Sequence, residues 1–247
     1  MSRSSSPALD IRVARNYQAM GEEAARFILS ELKQKPALLL CASAGGTPSQ
    51  TYRCLADQYV RQPRPFSKLR IIQIDEWGGL PRNSEASCEM DLRQKLISPL
   101  HVGTDRFIGF KSDTPKPEGE CRRISQWLAT KGPIDICILG LGLNGHVAMN
   151  EPANASEPNA HVAKLAQTSR GHPMLKSLQR KPAYGLTLGL SEILQSRKIL
   201  LLVSGKKKRA ALRQLMKPQV TPRFPASFLW LHPNATVFCD REAADGL

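Results

Sequence analysis

The chain predicts an α/β fold: a Rossmann-like, mainly parallel sheet with helices on both faces. Two observations lead there. Short, continuous apolar runs of strand length alternate with segments whose apolar residues follow helical spacing. Two glycine-rich turns, Ser43–Pro48 and Gly140–His146, directly follow such runs. Carboxyl ends of strands are where open α/β sheets hold ligands.

The elements follow in order. Residues 1–12 begin Ser-rich and are expected to form a flexible terminus, with residues 13–247 as one domain. From Asn16 to about Lys35 the positions Tyr17, Met20, Ala24, Phe27, Ile28 and Leu32 keep helical spacing, and Pro36 stops the helix. Ala37–Ala42 is apolar throughout, as a strand buried on both faces requires. Pro48 is placed to open the next helix, which runs through Tyr52, Leu55 and Tyr59 to the Pro63-Arg64-Pro65 break. Leu69–Ile74 is a second strand and delivers Asp75-Glu76-Trp77 at its end. A helix is expected over Ser87–Leu96, another near Glu120–Ala129 and a third near Lys207–Met216. Further strands are Ile134–Leu139, Tyr184–Leu188, Ile199–Val203 and Ala235–Cys239. The stretch Ala153–Arg180 is polar and carries further prolines, so it reads as a lid near 153–180 or an irregular connection.

Composition narrows the function classes. Hydrophobic residues are 41% and charged residues 23%, ordinary for a globular protein. The formal charge of +14 admits nucleic acid, a membrane surface or small anions as partners. Aromatics are only 6% and the basic residues are dispersed, which argues against a nucleic-acid stripe. No apolar run approaches the length of a membrane span, so no membrane partner is expected. The six cysteines, Cys41, Cys54, Cys88, Cys121, Cys137 and Cys239, lack metal-finger spacing. No metal site is expected, and a reducing cytosol is the simplest location.

Four constellations can carry chemistry. The turn Ser43-Ala44-Gly45-Gly46-Thr47-Pro48 aims backbone N–H groups and two hydroxyls, those of Ser43 and Thr47, at an anion. It fits neither a dinucleotide fingerprint nor a Walker loop, and a plain tight turn is its bland reading. Asp75-Glu76 places two carboxylates at a strand end, where they serve a site or cap a helix. Gly140–Pro152 presents His146 and, five residues on, Glu151; a histidine there can give and take a proton. The alternative is a satisfied histidine in a turn with a helix-capping Asn150. Ser204-Gly205-Lys206-Lys207-Lys208-Arg209 crowds cations at a helix start, where a bound anion relieves their repulsion.

These segments resemble a known family. Gly140–Pro152 is similar to the Gly-x-Gly-x-Asp-Gly-His-x-Ala-Phe-Asn-Glu-Pro signature of glucosamine-6-phosphate deaminases. Their relatives are the galactosamine-6-phosphate deaminase/isomerases and, more distantly, the 6-phosphogluconolactonases. The Gly45–Pro48 loop resembles the family's Gly-Gly-(Ser/Thr)-Pro phosphate loop, and Asp75-Glu76-Trp77 with Gly79-Leu80-Pro81 resembles its Asp-Glu-(Tyr/Trp)…Gly-Leu-Pro. The resemblance runs from about Leu38 to Asp240 and implies a fold of the sugar-phosphate isomerase/deaminase type. It implies that Asp75 moves a proton between carbons 1 and 2 of the open-chain sugar, and that His146, tuned by Glu151, opens the pyranose ring. Ser43, Gly45, Gly46, Thr47 and Lys208 would hold the phosphate, with Lys206 and Lys207 as alternatives to Lys208. The family's lid arginine has no residue in register here; Lys176 or His172 would stand in for it. The basic residues of the family's effector pocket are not recognisable in Ser156–Lys164.

One departure stands out. Asn144 occupies the place of an aspartate that assists the histidine; an amide cannot take a proton but can orient the imidazole. Asparagine here, and the ending Pro225–Pro233, resemble the galactosamine-type branch. His232 within that ending reads as structural. The resemblance therefore implies a cofactor-independent deaminase/isomerase acting on a small sugar phosphate, galactosamine 6-phosphate before glucosamine 6-phosphate. It leaves a homo-oligomer open. The rivals are a lactonase, against which Asn150-Glu151-Pro152 argues, and a sugar-phosphate sensor that has lost catalysis.

Overall fold

A computed structural model describes residues 9–247. The described residues form ten strands: β1 (Asp10–Ala14), β2 (Leu39–Ala42), β3 (Arg70–Gln73), β4 (Asp75–Trp77), β5 (Phe107–Ile108), β6 (Ile136–Gly140), β7 (His161–Lys164), β8 (Tyr184–Thr187), β9 (Lys198–Val203) and β10 (Ala235–Asp240). The same residues form eight α-helices: α1 (Tyr17–Gln34), α2 (Ser49–Arg61), α3 (Cys88–Leu92), α4 (Pro117–Lys131), α5 (Gln167–Arg170), α6 (Leu190–Leu194), α7 (Arg209–Leu215) and, after the last strand, α8 (Arg241–Ala244).

Seven strands form one parallel sheet in the order β1-β10-β9-β6-β2-β3-β5. Successive residues of a strand point to opposite faces, and both faces are buried. Leu39 and Cys41 of β2 and Ile199, Leu201 and Val203 of β9 join the core under α4, α6, α7 and α8. Leu40, Ala42, Leu200 and Leu202 join the core under α1, α2 and α3. The continuous apolar runs of the sequence thus have a direct physical cause.

Strand order also locates the site. From β2 the chain winds outward through β3 to β5, then returns along α4 to β6 on the other side of β2 and winds away through β9 and β10. The switch point lies between β2 and β6. Their carboxyl ends carry the two glycine-rich turns, and a crevice opens where neighbouring connections diverge.

Four expectations need correction. Asp10–Ala14 is not frayed: it pairs in register with Thr236–Asp240 as the edge strand β1. Residues 1–8 of the expected flexible terminus lie outside the described residues. Tyr184–Thr187 does not join the parallel sheet. It is the centre of a second, antiparallel sheet, β4-β8-β7, to which Asp75–Trp77 also belongs. The helix expected over Ser87–Leu96 is α3 followed by a π-type turn, Arg93–Ile97. Asn150 caps no helix; its Nδ2 donates to the carbonyls of Val147 (3.1 Å) and Leu188 (2.9 Å), pinning the His146 loop to the end of β8. Among the described residues no helix is long and apolar enough to cross a membrane.

Candidate active site

One cleft of about 760 Å3 opens at the carboxyl ends of the strands. Ser43, Gly45, Gly46, Thr47, Asp75, His146, Lys176 and Lys208 all line it. Asn144 and Glu151 stand behind His146 rather than in the wall.

The Ser43–Thr47 turn is braced from outside. Tyr17 Oη donates to the Gly46 carbonyl (2.7 Å) and Tyr52 Oη to the Ser43 carbonyl (2.8 Å). The Gly45 amide donates to Asp91 Oδ2 (2.9 Å), and Lys95, paired with Asp91, reaches the Gly45 carbonyl. Gly45 therefore contributes its conformation, φ +103°, and not its N–H as expected for an anion donor. Ser43 Oγ is buried and without a protein partner at the cleft wall. A buried hydroxyl without a partner is costly unless a ligand or water satisfies it.

Opposite, Lys208 Nζ donates to the Leu141 carbonyl at 2.5 Å. Burial lowers its pKa from the usual lysine range. Its approach depends on Gly205, at φ +88°, and on Asp240, whose carboxylate accepts from the Gly205 amide and Ser204 Oγ. The cations predicted to crowd a helix start lie instead in the 3₁₀ turn Lys206–Lys208 ahead of α7. Lys207 and Lys208 both line the cleft, whereas Lys206 does not.

Asp75 and Glu76 are separated by strand alternation. Asp75 and Trp77 face the cleft; Glu76 faces α3. Burial, and then the neighbouring Glu76 charge, raises the Asp75 carboxyl to about 7. Glu76 accepts four hydrogen bonds, from the amides of Trp77, Cys88 and Glu89 and from Gln73 Nε2, all at 2.8–2.9 Å. Burial raises its carboxyl above the ordinary value even so. Its work is to anchor the start of α3. Glu76→Ala should destabilise the fold by on the order of 3 kcal/mol, because several buried donors lose their acceptor. Thermal unfolding checks this, and an unchanged midpoint would refute it.

His146 lies against Gly142: a Cβ at residue 142 would stand 2.5 Å from the imidazole Cγ and Nδ1. The Gly142 amide donates to the His146 carbonyl (2.9 Å). Ala148, two residues on, takes φ +52°, a conformation that costs energy with a Cβ present. Nδ1 of His146 faces Glu151 Oε2 at 3.4 Å. Asn144 bridges the two: its Nδ2 donates to Glu151 Oε2 (2.9 Å) and its Oδ1 accepts from the His146 amide (3.2 Å). Burial works to raise the Glu151 carboxyl, but His146, Ser169 and Asn144 outweigh it and bring the group down to about 2. Glu151 is thus a fixed anion behind a histidine.

The segment after β7 closes one side of the cleft. His172 leans on Trp77, with ring centroids 5.7 Å apart, and its Cε1 and Nε2 hang over Gly45. Burial, then the charges of His146 and Lys208, lower its pKa. Lys176 reaches the same wall from an exposed position. Arg170 is exposed and outside the cleft lining. His232 is buried, with Nε2 against the Ser196 carbonyl at 2.7 Å and Nδ1 accepting from the Asn234 amide, a structural placement. Sequence reasoning missed Tyr17, Asp91 and Ser169, each of which acts through a contact distant in sequence.

Together these features define an α/β protein with a cationic, glycine-walled cleft facing one carboxylate of raised pKa and one anion-backed histidine. Comparison with known proteins gives the family. Residues 13–238 match the model of the glucosamine-6-phosphate isomerases/6-phosphogluconolactonase family, and the chain belongs to it. It is 38% identical over 228 residues to "Putative deaminase AgaI" of Escherichia coli (strain K12), covering 92% of this chain and 90% of that protein. It is 34% identical over 238 residues to the glucosamine-6-phosphate deaminase of Shouchella clausii (strain KSM-K16), covering 96% of each. Among solved structures, a monomeric glucosamine-6-phosphate deaminase superposes with a TM-score of 0.90 at 33% identity, covering 96% of this chain and 99% of that one.

Proposed function

We propose that the chain deaminates and isomerises a hexosamine 6-phosphate, galactosamine 6-phosphate in the first place, yielding tagatose 6-phosphate and ammonia. The observation that carries the reading is the meeting of Asp75, His146 and Lys208 in one cleft with the Ser43–Thr47 turn. The relatives named as deaminases support it. The galacto- choice rests on Asn144 and the Pro225–Pro233 ending. The six free thiols fit a reducing cytosol.

In this reading the phosphate docks on the Ser43–Thr47 turn and Lys208, with Lys176 at the rim. His146, backed by Glu151, moves the proton from the carbon-1 hydroxyl to the ring oxygen, and the ring opens. Asp75 removes the carbon-2 proton while the substrate ammonium gives one to oxygen 1, leaving an enolamine; Asp75 then delivers its proton to carbon 1, giving the ketose iminium. Water adds at carbon 2 and ammonia leaves. One water is consumed and no electron acceptor is needed. The phosphate, remote from the reacting carbons, contributes binding energy that orients them.

Replacing Lys208 by Met should raise KM about 10- to 100-fold with kcat little changed, the value of one or two charge-assisted hydrogen bonds. A KM equal to that of the native enzyme would remove Lys208 from the phosphate site. The reading as a whole is tested by ammonia release from galactosamine 6-phosphate and glucosamine 6-phosphate side by side. Faster release from the galacto- sugar supports the full proposal. Faster release from the gluco- sugar keeps the reaction and reverses the epimer. Release from neither overturns it, and hydrolysis of 6-phosphogluconolactone would then mark the chain as a lactonase.

A further inference from the structure

We propose that Ser169 is a positioning residue that holds Glu151 so that its second oxygen faces His146. The inference rests on the proposed reaction only for its kinetic consequence. Glu151 divides its two oxygens between two parts of the fold. Oε1 accepts from Ser169 Oγ, within α5, and from the amide of Ala166 (3.2 Å), the residue that precedes the helix. Oε2 accepts from Asn144 and faces the imidazole. Ser169 is buried, as an anchoring side chain must be.

His146 Nδ1 is itself buried and lacks a well-aligned hydrogen-bond partner. Among the described residues Glu151 is the only carboxylate in ion-pair range of it. Asp75, His172, Lys207 and Lys208 face the same cleft without reaching Nδ1. At 3.4 Å, a shift of a few tenths of an ångström in Glu151 makes or breaks the Nδ1–H···Oε2 bond. That bond selects the tautomer: with the proton on Nδ1, the nitrogen left free to accept a proton is Nε2. The fixed points that set Glu151 are therefore Asn144 on one oxygen and Ser169, together with the Ala166 amide, on the other. Ser169 belongs to the same short segment as His172 and Lys176, so the wall that would touch the phosphate is tied to the histidine through one carboxylate.

The test is the 15N spectrum of the full chain labelled at histidine, with His146 assigned by H146Q. With the ring neutral, the native protein should show the Nδ1–H tautomer at His146. S169A should shift the population to Nε2–H, with kcat for the hexosamine phosphate falling about tenfold and KM unchanged. Ser169→Thr, which keeps the hydroxyl, should restore both. Should S169A fail to fold, Ser169→Cys supplies the same comparison with a weaker donor. An unchanged tautomer in a folded S169A or S169C protein overturns the proposal. The spectrum needs no substrate, so an inactive native enzyme would refute the proposed reaction while leaving this result readable.

Discussion

Asp75→Asn should lower kcat for the hexosamine phosphate by about 1,000-fold while leaving the binding of inorganic phosphate unchanged. Removal of a positioned general base costs about two to four orders of magnitude, and Asp75 is the only carboxylate in the cleft wall among the described residues. Asn keeps the volume and cannot take the carbon-2 proton. The raised carboxyl gives two further readouts. Native kcat/KM should climb with pH through about 7 as Asp75 loses its proton, and the variant should lack that limb. Stability should move the other way. An unfolded chain releases this proton near 3.8, whereas the folded protein holds it to about 7. Stability from this group is thus complete below 3.8, declines as pH rises between the two values, and is lost above 7. Asp75→Asn should therefore unfold at a higher temperature than the native protein at pH 8 and at nearly the same temperature at pH 4. A variant with native turnover removes Asp75 from the chemistry; equal unfolding temperatures at pH 8 would refute the burial penalty.

The contrast between Asp75 and Glu76 shows what a sequence can carry. Two adjacent acids at a strand end announce a site, and the motif resemblance names the first as the base. The second is read equally well as a site residue or a cap. Only the pairing of Asp75 with Thr187 and of Glu76 with Leu186 shows that Asp75–Trp77 is a strand, and therefore that its side chains alternate between cleft and α3. The parallel sheet was legible because a strand covered on both faces must be apolar throughout, as Leu38–Ala42 and Ile199–Val203 are. Strand β1 was not, because an edge strand with Asp10 and Arg12 exposed carries no apolar run. The antiparallel sheet was hidden for another reason: period alone does not say which sheet a strand joins. At the site, glycines, histidine, Glu151 and lysines lie within short motifs and could be named. Asp91 on Gly45 and Ser169 on Glu151 are single polar residues in amphipathic or polar surroundings, 46 and 18 residues from their partners, and no local pattern marks them.

Gly142→Ala should lower kcat/KM by about 100-fold without disturbing phosphate binding, although the residue bears no chemical group. Its φ is not in the left-handed region, so the backbone tolerates alanine there. The obstacle is space. A Cβ at this position would meet His146 Cγ and Nδ1 at 2.5 Å and Cδ2 at 2.6 Å. Carbon contacts are comfortable at about 3.5–4.0 Å, so the two groups must separate by about 1 Å. The Cβ is fixed to a turn that is tied to the same loop by the Gly142–His146 backbone bond, and Lys208 holds the neighbouring Leu141 carbonyl. The imidazole is the part free to yield, away from Gly142 and out of register with Glu151. A displacement of about 1 Å at a reacting group costs on the order of 100-fold. The proposed phosphate contacts lie on other elements, the Ser43–Thr47 turn and Lys208, so inorganic phosphate should bind G142A as it binds the native protein. Loss of turnover with loss of phosphate binding would mean that the whole turn has moved; native turnover would mean that the ring does not act from this position. Glycine is required at residue 142 because the histidine occupies the place where a side chain would begin.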